Sequence, residues 1–208
     1  MIKSMLLTRT HEENEILKNH LKHRNINLNF ISAPLLKIEF TKNLILPKNY
    51  NTFIFTSSYA VKAIKNIEIS KKVTAFCIGN KTSSEAEKLG FDVYNANGDS
   101  KDLLNLIKKK LSSKKSRILY LRGKNITMDF KGELEKIGFN IEQYIVYVQK
   151  ELKLNNEILN KIHSGKINSA AFFSSNSAKS FKKSVQNLPK DFFMFCLSTS
   201  IANLLKNN

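Results

Sequence analysis

The stretch Phe55-Thr56-Ser57-Ser58-Tyr59-Ala60-Val61 has a counterpart later in the chain, Phe172-Phe173-Ser174-Ser175-Asn176-Ser177-Ala178. In both stretches an apolar run ends in hydroxyl-bearing residues that lead into a helical pattern, which is typical of a strand followed by an N-capped helix. A second pair of similar stretches is Ala75-Phe76-Cys77-Ile78-Gly79 and Met194-Phe195-Cys196-Leu197-Ser198. Repeated strand-turn-helix units of this kind predict two similar domains.

The rest of the chain extends this pattern. Short apolar segments alternate with amphipathic segments of about ten to fourteen residues, which predicts the α/β class with parallel sheets. If residues 1–34 belonged with the residues that follow them, one domain would hold too many strands. We therefore assign residues 1–34 and 151–208 to a discontinuous first domain and residues 41–144 to an inserted second domain. Extended linkers are expected at residues 35–40 and 145–150.

The charge of the chain favours an anionic partner. Its 208 residues include 34 Lys and Arg against 17 Asp and Glu, a formal net charge of +17. Such an excess attracts nucleic acid, anionic lipid or a small ligand with several carboxylates or phosphates. Arginine, the usual reader of base edges, occurs only at positions 9, 24, 117 and 122. Sequence-specific DNA recognition is therefore disfavoured.

The sequence also bears on location. No apolar stretch approaches the roughly 20 residues of a membrane-spanning helix, and the first residues show no signal-peptide pattern. Cys77 and Cys196 both have bulky apolar neighbours, which suits reduced, buried thiols better than a disulfide or a metal site. We expect a cytoplasmic protein without a membrane partner.

Five polar turns follow predicted strands and lead toward helices. They are Thr56-Ser57-Ser58, Gly79-Asn80-Lys81-Thr82, Arg122-Gly123-Lys124, Ser174-Ser175-Asn176 and Ser198-Thr199-Ser200. In parallel α/β sheets, ligands bind at the carboxyl ends of strands, where helix N-termini point N–H groups outward. Ordinary helix capping is the alternative explanation for any one turn. Five such turns with few carboxylates predict an anion-binding cleft between two facing repeats.

Several other kinds of site are not supported. Gly79-Asn80-Lys81-Thr82 lacks the spacing of a Walker loop or a dinucleotide-binding fingerprint. His20 and His23 have no third ligand at convincing spacing, so no metal is expected. The serines have no recognisable histidine partner, and paired acids are missing from the turns. Tyr147, at the return crossing between the domains, is the best-placed proton or hydrogen-bond donor, although packing of the linker explains it equally well.

The order of a set of motifs resembles a known family. They are Leu7-Thr8-Arg9, Pro34, Ile54-Phe55-Thr56-Ser57, Cys77-Ile78-Gly79-Asn80-Lys81-Thr82, Leu121-Arg122-Gly123, Gly138, Val146-Tyr147 and Phe173-Ser174-Ser175-Asn176-Ser177-Ala178. Together they are similar to the uroporphyrinogen-III synthase family over nearly the whole chain. The family's fold is likewise a two-domain α/β layout with a discontinuous first domain.

The resemblance implies a function. That function is the cofactor-free cyclisation of hydroxymethylbilane, a linear tetrapyrrole with eight carboxylates, to uroporphyrinogen III, with loss of water and inversion of ring D through a spiro intermediate. By family analogy Tyr147 assists departure of the hydroxyl group, with Thr82 and Ser174 as nearby polar contacts. The substrate contacts expected on this basis are Arg9, Thr56, Ser57, Ser58, Gly79, Lys81, Thr82, Arg122, Gly123, Ser174, Ser175, Asn176, Ser198, Thr199 and Ser200.

The resemblance also bears on partners. We expect a monomer that contacts the upstream hydroxymethylbilane synthase transiently and binds no nucleic acid. Two alternatives stay open: a two-lobed protein that binds a polyanion or tetrapyrrole without chemistry, and a nonspecific nucleic-acid-associated protein suggested by charge alone.

The sequence departs from the family pattern at two points. Ile201 lies where the family more often has threonine, so Thr199 or Ser200 would have to substitute. The sequence ends at Asn208, whereas family members usually continue through another strand and helix.

Overall fold

The computed structural model describes residues 2–69, 73–111 and 116–206. It divides into two compact units, unit 1 with residues 1–37 and 150–208, and unit 2 with residues 38–149. The chain thus leaves unit 1, forms unit 2 and returns. The α/β class with a discontinuous first domain, predicted from the sequence, is confirmed.

Helices and strands alternate through most of the chain. In order, they are β1 (Ser4–Leu7), α1 (His11–His23), β2 (Asn29–Ser32), β3 (Leu36–Phe40), β4 (Thr52–Phe55), α2 (Ser58–Ala63), β5 (Thr74–Ile78), α3 (Asn80–Lys88), β6 (Asp92–Ala96), α4 (Ser100–Lys110), β7 (Arg117–Gly123), α5 (Phe130–Glu135), β8 (Asn140–Glu151), α6 (Asn156–His163), β9 (Ser169–Phe172), α7 (Ser175–Ser184), β10 (Phe193–Cys196) and α8 (Thr199–Leu205). None of the helices in the described parts of the chain combines the length and apolar character that a membrane crossing requires.

Unit 1 contains a four-stranded sheet in the order β10-β9-β1-β2. All three neighbouring pairs are parallel, so the carboxyl ends of these strands lie at one edge. Leu6, Ala170 and Phe172 are buried on one face and pack with Phe181 of α7 and Ile201 of α8. Strand β10 lies at the edge of the sheet and leaves Phe193 and the following residues largely exposed.

Unit 2 contains a six-stranded sheet in the order β3-β8-β7-β4-β5-β6, in which β8 through β6 run parallel. Successive side chains of a strand point to opposite faces, and here both faces are covered. Phe55 and Cys77 pack on the face of α2 and α3. Ile54 and Phe76 pack on the other face with Leu103 of α4. Burial on both faces explains why the interior strands β4 and β5 are mainly apolar, as is usual for parallel sheets.

Six of the eight described helices begin at a side chain that accepts a hydrogen bond from an N–H group of the first turn, and α1 and α3 do not. Ser57, Ser174 and Ser198 each accept a hydrogen bond from the first turn of the helix that follows. Asp99 forms a capping box with Asp102 at the start of α4, and this feature was not anticipated from the sequence. Such caps stabilise a helix by about 1 kcal/mol each.

The two thiols differ in their surroundings. Cys77 lies on central strand β5 and is fully buried, as expected, whereas Cys196 is only half-buried because β10 is an edge strand. Burial raises the pKa of the Cys77 thiol to about 12, although a hydrogen bond with Ser83 acts in the opposite direction. The folded chain therefore holds this proton at a pH where the unfolded chain has released it.

This difference predicts alkaline destabilisation. Between pH 9 and pH 12 the unfolded state binds fewer protons than the folded state, so the free energy of unfolding falls as pH rises, by up to about 1.4 kcal/mol per pH unit. Urea unfolding at pH 8, 9.5 and 10.5 measures the slope. We expect Cys77→Ala to flatten it and Cys196→Ala to keep most of it. An equal slope in the wild type and Cys77→Ala would contradict the assignment.

Candidate functional site

Three of the polar turns meet at one edge of the unit 2 sheet. Strands β7, β4 and β5 are adjacent and parallel, so the residues that follow them lie side by side. Thr56 follows β4, Gly79 follows β5, and Arg122 and Gly123 end β7. These turns are separated in the sequence but form a cluster in space. We call this cluster the unit 2 edge.

The ring of Tyr147 packs against the backbone of Gly123 at the unit 2 edge. The two residues pair across β7 and β8, and the N–H of Lys124 donates to the carbonyl oxygen of Tyr147 at 3.0 Å. A Cβ atom placed on Gly123 would be 2.7 Å from Cζ and 2.9 Å from the phenolic oxygen of Tyr147. Only glycine leaves room for the ring in this position.

The ring of Tyr147 has a second neighbour in Tyr59. Their centroids are 5.8 Å apart with an interplanar angle of 54°, a tilted arrangement within the range of favourable aromatic pairs. The ammonium group of Lys81 lies 5.9 Å from the centroid of Tyr59. Tyr59 thus connects the predicted binding residue Lys81 to the predicted catalytic residue Tyr147.

The phenol of Tyr120 contacts the side chain of Thr56. The Oγ1 atom of Thr56 is 3.3 Å from the hydroxyl oxygen of Tyr120, which is buried against α5. Burial raises the pKa of Tyr120, only partly offset by the hydrogen bond with Thr56. Tyr120 therefore keeps its proton at neutral pH and orients the Thr56 hydroxyl.

Other predicted residues of the unit 2 edge have internal roles. The N–H of Gly79 donates to Ala96, and Ser57 caps α2. Ser58 and Thr82 are about 95% buried. Burial follows from their positions in the first turns of α2 and α3, on the sides that face the sheet.

Arg122 is also engaged within unit 2. Its Nε atom donates to Gln143 at 3.0 Å, and Nη1 donates to the carbonyl oxygens of Gly123 at 3.0 Å and Lys124 at 3.2 Å. These bonds hold the turn after β7 in shape. Arg122 is thus a support for the Gly123 backbone in this conformation.

Unit 1 has its own edge of polar turns. Arg9, Ser174 and Ser198 follow the adjacent strands β1, β9 and β10. Ser174 accepts from the N–H of Ser177 at 3.2 Å, and Asn176 and Ser175 begin α7 near the surface. We call this group the unit 1 edge.

The turn after β10 clarifies the departure at position 201. Ile201 is buried in the core of unit 1, and its N–H donates to Ser198 Oγ at 3.4 Å. Ser198 Oγ also lies 2.8 Å from Ser200 Oγ, and Ser198, Thr199 and Ser200 are exposed. Hydroxyl groups are therefore present at this turn although position 201 supplies none.

Arg9 forms an ion pair with helix α1, which begins two residues after it. Its Nη2 atom lies 2.7 Å from Glu13 Oε1, and its guanidinium carbon is 5.0 Å from the centroid of Phe173. The ion pair with Glu13 offsets part of the positive charge that Arg9 brings to the unit 1 edge.

Asn14 supports the same turn and was missed in the sequence. Its fully buried side chain accepts from the N–H of Arg9 at 3.1 Å, while Nδ2 lies 2.9 Å from the carbonyl oxygen of Leu7 and 3.0 Å from that of Arg9. The available signal was its position three residues before Leu17 and seven before Leu21, on the apolar side of α1.

Metal-binding chemistry has no candidate in the described residues. Within 2–69, 73–111 and 116–206, no group of three or more His, Cys, Asp or Glu side chains could hold a metal ion. The polar groups at the two edges are hydroxyls, a phenol, amides, lysine and arginine. Such groups bind carboxylates and donate hydrogen bonds.

Comparison with known proteins identifies the family of this chain. The model of the HEM4 family, described as Uroporphyrinogen-III synthase HemD, matches residues 23–208. The chain belongs to the uroporphyrinogen-III synthase family. An uncharacterized protein of Rickettsia prowazekii is 29% identical over 146 residues, which cover 68% of this chain and 50% of that protein. The chain spans about half the length of this curated relative.

Solved structures of synthases share the fold. The uroporphyrinogen-III synthetase of Helicobacter pylori is 19% identical with a TM-score of 0.66, covering 98% of this chain and 88% of that one. A mutant uroporphyrinogen III synthase of Thermus thermophilus is 14% identical with a TM-score of 0.57, covering 97% and 88%. The family resemblance inferred from the motifs is confirmed.

Proposed function

We propose that this protein cyclises hydroxymethylbilane to uroporphyrinogen III in porphyrin biosynthesis. The observation that carries the proposal is family membership over residues 23–208. The reaction is a loss of water: the terminal hydroxyl leaves, the azafulvene that remains is attacked by the substituted carbon of ring D, and the spiro intermediate opens and closes again with ring D inverted. This chemistry requires no electron acceptor and calls for no cofactor.

Tyr147 is the proposed hydrogen-bond donor to the departing hydroxyl. Support comes from its place at the carboxyl end of the unit 2 sheet, where its phenolic oxygen lies over Gly123. A phenol can stabilise the negative charge that develops on the leaving oxygen. Because water can also act as the acid, we expect no single side chain to be indispensable.

Lysine and backbone donors are proposed to bind the substrate carboxylates. Arg9 and Arg122, also predicted contacts, are engaged with Glu13 and with backbone carbonyls. Lys81 adds a positive charge at the unit 2 edge, and Ser198, Thr199 and Ser200 expose hydroxyl groups at the unit 1 edge. A lysine ammonium group attracts carboxylates without imposing the fixed two-donor geometry of an arginine guanidinium group. This suits flexible acetate and propionate arms. Restraint of ring D then favours the inverted isomer.

Cellular context extends the proposal. We place the reaction in the cytoplasm, supported by two free cysteines that form no disulfide. A monomeric state and transient contact with hydroxymethylbilane synthase remain predictions.

Isomer analysis tests the activity. Freshly prepared hydroxymethylbilane is incubated with the protein, and the products are oxidised and resolved as isomers I and III. We expect isomer III in excess of the spontaneous isomer I. Isomer I alone would contradict the proposal, and saturable tetrapyrrole binding without isomer III would instead support a non-catalytic binding protein.

The role of Tyr147 is tested separately. We expect Tyr147→Phe to lower the rate of isomer III formation at least about tenfold, equal to roughly 1.4 kcal/mol of barrier. Tyr144→Phe is the control, because Tyr144 lies on the same strand and its hydroxyl donates to Glu142. An unchanged rate in Tyr147→Phe would remove the tyrosine from the mechanism but not the activity from the protein.

A further inference from the structure

A β-bulge determines where the Tyr147 side chain points. Arg122 pairs with Ile145, but Gly123 pairs with Tyr147, so Val146 is an extra residue in β8. In a regular strand Val146 and Tyr147 would point to opposite faces. Both are instead buried in the cluster that α2 and α3 cover, whereas Ile145 is exposed. A bulge redirects a side chain in this way.

The bulge brings Tyr147 against Tyr59 in the first turn of α2. The N–H of Tyr59 donates to Ser57 Oγ at 3.2 Å, which fixes the backbone that carries the ring. The ring of Tyr147 then has the Gly123 backbone on one side and the Tyr59 ring, at 5.8 Å between centroids, as a second neighbour. The Gly123 backbone limits the movement of the Tyr147 ring on one side only. It does not prevent the ring from rotating away from Gly123.

We propose that Tyr59 is a positioning residue that keeps the phenol of Tyr147 over Gly123. This inference rests on the proposed function, in which Tyr147 donates a hydrogen bond to the leaving hydroxyl. The contact is made by the ring of Tyr59. Removing that ring allows Tyr147 to occupy other orientations, and a misplaced donor lowers the rate of the chemical step without weakening substrate binding elsewhere.

A double-mutant cycle measures this coupling. We expect Tyr59→Leu to lower kcat about five- to tenfold with KM changed less than about twofold, and Tyr59→Phe to retain most of kcat. In the Tyr147→Phe background, Tyr59→Leu should change kcat less than about twofold. Equal losses in both backgrounds, or a loss confined to KM, would overturn the inference.

Tyr94 supplies a matched control. It also has a stacked ring partner, Phe76 at 5.2 Å, and a lysine over its ring, Lys110 at 5.1 Å, but it lies on strand β6 away from Gly123. We expect Tyr94→Leu to leave kcat unchanged. A loss equal to that of Tyr59→Leu would show a general effect of removing a ring and would contradict a specific role for Tyr59.

A second readout is independent of activity. With 4-fluorophenylalanine placed at position 147, the fluorine NMR signal reports the surroundings of the ring. We expect Tyr59→Leu to shift or broaden this signal and Tyr94→Leu to leave it unchanged. No response to Tyr59→Leu would overturn the inference. A response in a protein that forms no isomer III would instead locate the failure in the proposed function.

Discussion

Gly123→Val is expected to reduce isomer III formation by about 100-fold. The first added carbon would lie 2.7 Å from Cζ of Tyr147, and valine adds two further methyl groups. The ring must therefore leave its place over residue 123, and displacement of a catalytic group by about 1 Å can cost this much in rate. The loss exceeds that of Tyr147→Phe because valine moves the whole ring and disturbs the turn that Arg122 supports. Steady-state rates with isomer separation measure it.

A graded series makes this prediction specific. Gly123→Ala should lie between the wild type and Gly123→Val. Gly132→Ala is the control, because its added carbon would meet the carboxylate of Asp129, 2.5 Å away at the N-cap of helix α5, and not the ring of Tyr147. A folded Gly123→Val protein with wild-type activity would show that the Tyr147 position is not required.

Asn14→Leu should cost about 3 kcal/mol of unfolding free energy, or roughly two orders of magnitude in the folding equilibrium. Leucine fills a similar volume but leaves the N–H of Arg9 and the carbonyl oxygens of Leu7 and Arg9 without this partner. Buried groups that lose their hydrogen bonds pay the full cost of desolvation. Urea unfolding followed by circular dichroism measures the change.

Asn19→Leu is the matched control on the same helix. Asn19 is exposed on α1, so its replacement should change the free energy of unfolding by less than about 0.5 kcal/mol. Comparable losses in the two variants would mean that the buried hydrogen bonds of Asn14 contribute little to unit 1.

Local patterns were sufficient to predict the elements of this fold. The apolar runs of β4 and β9 are followed by Ser57 and Ser174, and both serines cap helices as the sequence indicated. Parallel pairing then places successive turns at one edge, so their grouping followed from topology. Boundaries differ where tertiary pairing extends a strand: residues 145–150 were expected to form an extended linker, and they lie within β8, Asn140–Glu151.

The arrangement within the candidate site was harder to predict. Tyr147 was chosen for its chemistry, but strand alternation alone would have pointed it away from the face that it occupies. The Val146 bulge depends on pairing between β7 and β8, which no local pattern encodes. The contact between Tyr59 and Tyr147 depends on that bulge, and the hydrogen bonds of Asn14 depend on the turn after β1. Long-range contacts of this kind become visible only when the strands are paired.

The most direct measurement is the ratio of isomer III to isomer I formed from fresh hydroxymethylbilane, compared among the wild type, Tyr147→Phe and Gly123→Val. The account predicts mainly isomer III from the wild type, a slower yield from Tyr147→Phe and the least from Gly123→Val. Isomer I at the spontaneous rate from all three proteins would contradict it.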